Sequence, residues 1–130
     1  MPSRDTPSAP VEAYEWTLTK LALNDDALIA DLTDSEEANL EASGLDPRAH
    51  ALVRLGALLA LDASPAAYAS VVRLAIRAGA SIPEIVGVLV AVVPSIGIAR
   101  AVSAAPDLAL AVGFDVDDVI ERDRDHLGGS

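Results

Sequence analysis

Apolar positions in this chain recur in helical blocks separated by short polar starts, and no block alternates at the two-residue period of a strand. After Pro10, VEAYEWTLTKLAL reads as a first helix, with Tyr14 and Leu21 among its apolar positions. Asn24-Asp25-Asp26 breaks it and caps a short second helix, ALIADL. Asp34-Ser35 opens a third, EEANLEAS, whose early acids favour the helix dipole, and Gly44 is a natural stop. Asp46-Pro47 then starts PRAHALVRLGALLAL, the acid as N-cap and the proline at the first helical position. Beyond Arg54 that segment is apolar on every side, which predicts a helix buried all round.

Ser64-Pro65 repeats the same start for AAYASVVRLAIRA, which ends at Gly79, and Ser81-Ile82-Pro83-Glu84 fits a capping box. IVGVLVAVV follows, ended by Pro94; SIGIARAVSAA and PDLALAVG read as two separate apolar pieces. The tail FDVDDVIERDRDHLGGS predicts an acidic amphipathic helix fraying into Gly and Ser. The expectation is an all-α protein: a disordered segment over 1–9, one helical domain over 10–114, and an acidic helix and tail over 115–130.

Composition changes this picture in three ways. Aromatic residues make up only 3% of a chain that is 52% apolar, so the core must be built from Ala, Val, Leu and Ile. Small side chains bury little area each, which points to homo-oligomerisation as a source of further burial. A formal charge of −11 would be repelled by nucleic-acid phosphates and anionic lipid heads, so neither is an expected partner. The absence of cysteine excludes disulfides, thiolate metal sites and a peroxidatic thiol within the chain. MPSRDTPSAP lacks the apolar stretch of a secretory signal, and the apolar run Ile85 to Val93 falls short of the ~18–20 residues of a spanning helix. A cytoplasmic protein is the expectation.

The order of motifs is informative: Leu45-Asp46-Pro47-Arg48, an apolar helix, the junction LDASPAAYASVV, a helix with Arg73 that ends at Gly79, then Glu84-Ile85 opening the run to Val93, with Gly97 beyond. This order resembles the carboxymuconolactone decarboxylase and alkylhydroperoxidase-D-like family over residues 45–105. The resemblance implies a compact all-helical fold that assembles into trimers or hexamers, with active sites near subunit contacts. The family's redox branch carries Cys-x-x-Cys-x-x-x-His at the junction and a glutamate one helix earlier. Counted back from Gly79, these positions fall on Ser64, Ala67, Val71 and Leu52, none of which retains the required group. A one-residue shift brings Ser70 to the histidine position, and serine is no base. Peroxide reduction by the family mechanism is excluded, because a hydroxyl cannot cycle through a disulfide. The histidine of the decarboxylase branch is missing as well.

The candidate site residues each have a bland alternative. Ser64 needs a base within reach to act as a nucleophile, and before Pro65 it reads as an N-cap. Asp62 is a general acid if buried, and otherwise a solvated helix-end carboxylate. Tyr68 reads as a packing aromatic. His50, in the first turn of its helix beside Arg48 and Arg54, is expected exposed or paired with an acid. Arg73 and Arg77 share a helix face at i, i+4 and either answer a carboxylate, such as Glu84 or an acid of another subunit, or clamp an organic acid. Asp123, Asp125 and His126 are of metal-ligating type but lack a glycine-turned loop, so no metal and no cofactor is expected.

Two functions fit. The first is a homo-oligomeric non-redox protein binding a small apolar or organic-acid ligand, or a protein partner, with Ser64, Ala67, Val71, Arg73 and Arg77 around the ligand. The second is a cofactor-free decarboxylase or isomerase acting on a small organic acid or lactone, moving protons with Asp62, Tyr68 or His50. Polarity at the junction discriminates between them, because an enzyme needs a titratable group directed into the cavity. A purely structural assembly protein would show no pocket.

Overall fold

The computed structural model describes residues 9–128, and the side chains of 9–126. Those residues form eight α-helices and no strand, so the chain is all-α. The expected disordered start falls, except for Ala9, outside the described residues, as does the final Gly129-Ser130.

The contacts divide the chain after Gly44. The first unit holds α1 (Ala13–Ala22), α2 (Asp26–Thr33) and α3 (Glu36–Ser43). Their starts are chemical: Asp25 Oδ1 accepts the Leu28 amide at 2.9 Å, and Ser35 Oγ accepts that of Ala38 at 3.0 Å. Gly44 closes α3 at φ +68°, a left-handed turn that glycine adopts without a Cβ penalty. None of the three helices has a buried residue, and Tyr14, Trp16, Leu18 and Leu21 of α1 stay exposed.

The second unit begins at Leu45 and holds α4 (Pro47–Ala60), α5 (Pro65–Arg77), α6 (Ile82–Ile96), α7 (Ile98–Val112) and α8 (Val116–Gly128). The N-caps follow the sequence: Asp46 Oδ1 accepts the Ala49 amide at 2.8 Å, Ser64 Oγ that of Ala67 at 3.2 Å, and Ser81 Oγ that of Glu84 at 3.2 Å. Glu84 Oε1 in turn accepts the Ser81 amide at 3.0 Å, which completes the capping box. The core joins Ala51, Leu55 and Leu59 of α4 to Tyr68, Val71, Val72 and Ala75 of α5, Ile85 of α6, and Ala104 and Leu108 of α7. Small residues let these helices close up. A Cβ on Gly56 of α4 would stand 3.5 Å from Val92 of α6.

Three local expectations are corrected. Pro94 does not end its helix; α6 runs through it to Ile96 and stops at Gly97, whose φ is +88°. Likewise α7 runs through Pro106, so the two expected apolar pieces are one helix of 15 residues. Both prolines are exposed, and on that side a lost donor costs less because water serves the freed carbonyl. Finally, α4 is not buried all round: Leu55 and Leu59 are fully enclosed, while Ala57 and Ala60 are exposed and Leu61, just past its end, is 75% accessible.

Candidate functional site

The α4–α5 junction is a tight turn made by backbone geometry. Leu61 caps α4, and Asp62 follows in the left-handed region at φ +53°, a conformation that aspartate tolerates better than most residues. The Ala63 amide reaches back to the Leu58 carbonyl at 3.1 Å, sealing the end of α4. Ser64 then caps α5, with Pro65 pre-set in its first turn. This geometry leaves the Asp62 carboxylate exposed at the mouth of the turn.

Tyr68, one turn into α5, is completely enclosed, yet its hydroxyl finds no hydrogen-bond partner within the described residues. Burial raises the phenol's pKa above its ordinary value, and the negative charges of Asp62 and Asp107 push the same way. The nearby backbone of Ala63 and the Arg100 guanidinium oppose this, but the backbone group does not make a well-formed hydrogen bond to the hydroxyl. The hydroxyl is therefore a protonated donor at neutral pH, set among three charged side chains from two parts of the fold.

Two of those charges, Asp62 and Arg100, border a depression of about 380 Å³ lined also by Ile96, Ala99 and Ser103. The α4–α5 turn supplies the acid, the end of α6 the isoleucine, and the first turns of α7 the rest. Among the described residues Asp62 and Arg100 form no ion pair with one another, so both charges remain available to a third molecule. The site therefore offers a guanidinium suited to a carboxylate, a carboxylate able to accept or take a proton, a hydroxyl, and an apolar wall.

Sequence reasoning placed only part of this. Asp62 lines the depression, and Tyr68 responds electrostatically to its charges. Ser64 is the N-cap, Ala67 donates its amide to that cap, and Val71 is buried in the core. None of the three lines the depression, nor do Arg73 and Arg77, which stand exposed on α5. Glu84 does not answer those arginines: it pairs with Arg48, tying the start of α6 to that of α4. His50 is 8% accessible rather than exposed, within the first turn of α4. The missed members are Arg100 and Ser103 with Asp107 behind them. Their spacing at i, i+3 and i+7 on a helix with no other charged residue is the signal that would have found them.

A second depression, of about 430 Å³, is lined by Gly113, Phe114, Asp115, Asp118, Glu121, Arg122 and Asp125 at the start and along one side of α8. Among the described residues no group of acids and histidines is arranged to hold a metal ion, and no helix is long and apolar enough to cross a membrane. The chain matches no family model, no curated protein and no solved structure.

Proposed function

We propose that this chain is a non-redox relative of the carboxymuconolactone decarboxylase-like proteins, a cytoplasmic homo-oligomer that binds a small organic acid at the α4–α5–α7 junction. The observation that carries the reading is that Arg100 and Asp62 share one depression, neither ion-paired among the described residues, beside a buried hydroxyl that also lacks a partner among them. Arg100 takes the ligand's carboxylate, Ile96 and Ala99 meet its hydrocarbon part, and Ser103 offers a further hydrogen bond. A carboxylate bound at Arg100 satisfies a charge that the described residues leave open.

The shared depression also favours a second reading. Asp62 and Arg100 line it together, and in a cofactor-free isomerase or decarboxylase of small acids or lactones the guanidinium would hold the ligand while the carboxylate moves its proton. Turnover of a lactone or carboxylic acid that is lost in Asp62→Asn, with binding retained, separates catalysis from binding.

Thermal shift with succinate, benzoate and δ-valerolactone tests the binding itself. A ligand at ~100 times its Kd adds about 2.7 kcal/mol to stability, so ~10 mM of a 0.1 mM binder moves the melting temperature by several degrees. Succinate or benzoate is expected to stabilise the natural chain and to lose that effect in Arg100→Gln. Native mass spectrometry reports subunit number and any co-purified acid together. A bare chain with no response to any carboxylate overturns the proposal.

A further inference from the structure

We propose that the ligand of the α4–α5–α7 depression is a zwitterion, a small amino acid with an apolar side chain, rather than a plain carboxylic acid. The inference rests on the binding reading above and narrows it to one chemical class.

Two opposite charges define the depression. Its lining holds one guanidinium, Arg100, and one carboxylate, Asp62. Neither has an ion-pair partner among the described residues, although both stand at the same opening. They come from different elements: Asp62 from the α4–α5 turn, where its backbone is held at φ +53°, and Arg100 from the first turn of α7. A ligand with a carboxylate alone answers Arg100 but brings a like charge towards Asp62. A ligand with an ammonium alone makes the opposite mismatch. A molecule that carries both groups meets each charge with its complement.

The surrounding field points the same way. The chain carries a net charge of −11, and Asp107 lies one turn beyond Ser103 on α7. Two acids therefore stand near one arginine, and the protonated Tyr68 hydroxyl adds no charge to that balance. A monoanion approaches against this field, whereas an amino acid has no net charge and does not.

The uncharged lining sets the rest of the ligand. Ile96 and Ala99 form an apolar wall, and Ser103 follows Arg100 by one turn of α7 with a hydroxyl that donates or accepts. At about 380 Å³ the depression falls near the lower end of the ~300–1,000 Å³ typical of small-molecule sites. An amino acid with a short apolar side chain uses every part of it. The carboxylate goes to Arg100 and Ser103, the ammonium to Asp62, and the side chain to Ile96 and Ala99.

Isothermal titration calorimetry on the full chain tests this with three matched pairs: alanine and propionate, valine and isovalerate, leucine and isocaproate. Within each pair only the ammonium differs. At least one amino acid is expected to bind ~10-fold or more tightly than its deaminated partner, the effect of one charge-assisted hydrogen bond. Asp62→Asn keeps a side chain that tolerates the left-handed backbone, so the turn is preserved. It removes both the attraction for the ammonium and the repulsion of the plain acid, and the preference is expected to collapse towards parity. Arg100→Gln is expected to weaken both members of the pair. Acids that bind as tightly as their amino acids overturn the zwitterion and leave the organic-acid reading standing. A preference that survives in Asp62→Asn overturns it as well, because the ammonium is then held elsewhere. Silence from all three pairs also overturns the zwitterion, and the organic-acid reading falls with it only if succinate and benzoate are silent too.

Discussion

Tyr68→Phe is the most direct probe of the junction, because it removes one oxygen from a site enclosed on every side. That hydroxyl is fully buried and has no partner among the described residues. A buried polar group without a partner costs about 1–3 kcal/mol, while the ring that carries it packs identically as phenylalanine. The substitution should therefore stabilise the second unit by about 1 kcal/mol or more, which at this length corresponds to roughly 4 °C in melting temperature per kcal/mol.

Urea unfolding followed by circular dichroism at 222 nm measures the change. Fluorescence is the wrong readout, since the single tryptophan, Trp16, lies in the first unit. The pH dependence provides a second arm. The folded-state pKa of Tyr68 is raised, first by burial and then by Asp62 and Asp107. From about pH 10 upward, the unfolded chain releases this proton while the folded chain retains it. The unfolded state then binds fewer protons, so the natural protein loses stability as pH rises through that window. The phenylalanine variant lacks this loss, and its advantage should widen above pH 10. A variant less stable than the natural chain at neutral pH would refute the reasoning, because the hydroxyl would then have a bonded partner from outside the chain.

Two further substitutions test how the junction is built. Asp62→Gly should raise stability, by up to about 1 kcal/mol, because glycine takes the left-handed turn without a Cβ penalty, while removing the carboxylate from the depression; a fall in the urea midpoint would show that the aspartate contributes more than a tolerated backbone angle. Ser64→Ala should cost about 1 kcal/mol through loss of the bond to the Ala67 amide, and Ser64→Asp should restore most of it; a null result in urea would remove the cap from the account of α5.

The parts of the fold that were legible in the sequence are those set by chemistry within one turn. Asp46-Pro47, Ser64-Pro65 and the Ser81–Glu84 box each start a helix where a side-chain oxygen meets an amide three residues on. Gly44 ends α3 for an equally local reason. The misreadings depended on neighbours. Pro94 and Pro106 look like helix stops because an internal proline costs about 3 kcal/mol, but both project outward from helices whose other side is held by Ile85, Ala104 and Leu108. The burial of α4 was overstated because Leu55 and Leu61 are the same residue type, and only the packing of α5, α6 and α7 decides which one is covered.

The site itself shows where such local reading stops. Along α4 and α5 alone, LDASPAAYASVV offers a capping serine, small apolar residues, one acid and one enclosed phenol, with Val71 facing the core where the resemblance would put a base. The missing polarity is delivered from elsewhere in the sequence. The first turns of α7 bring Arg100 and Ser103 to the same depression as Asp62, and Asp107 acts on the hydroxyl from the next turn but one. If the junction has chemistry, it is shared between a carboxylate held by an unusual backbone angle on one segment and a guanidinium on another. Loss of ligand in Arg100→Gln, with a fold as stable as the natural one, would show that α7 rather than α5 carries recognition.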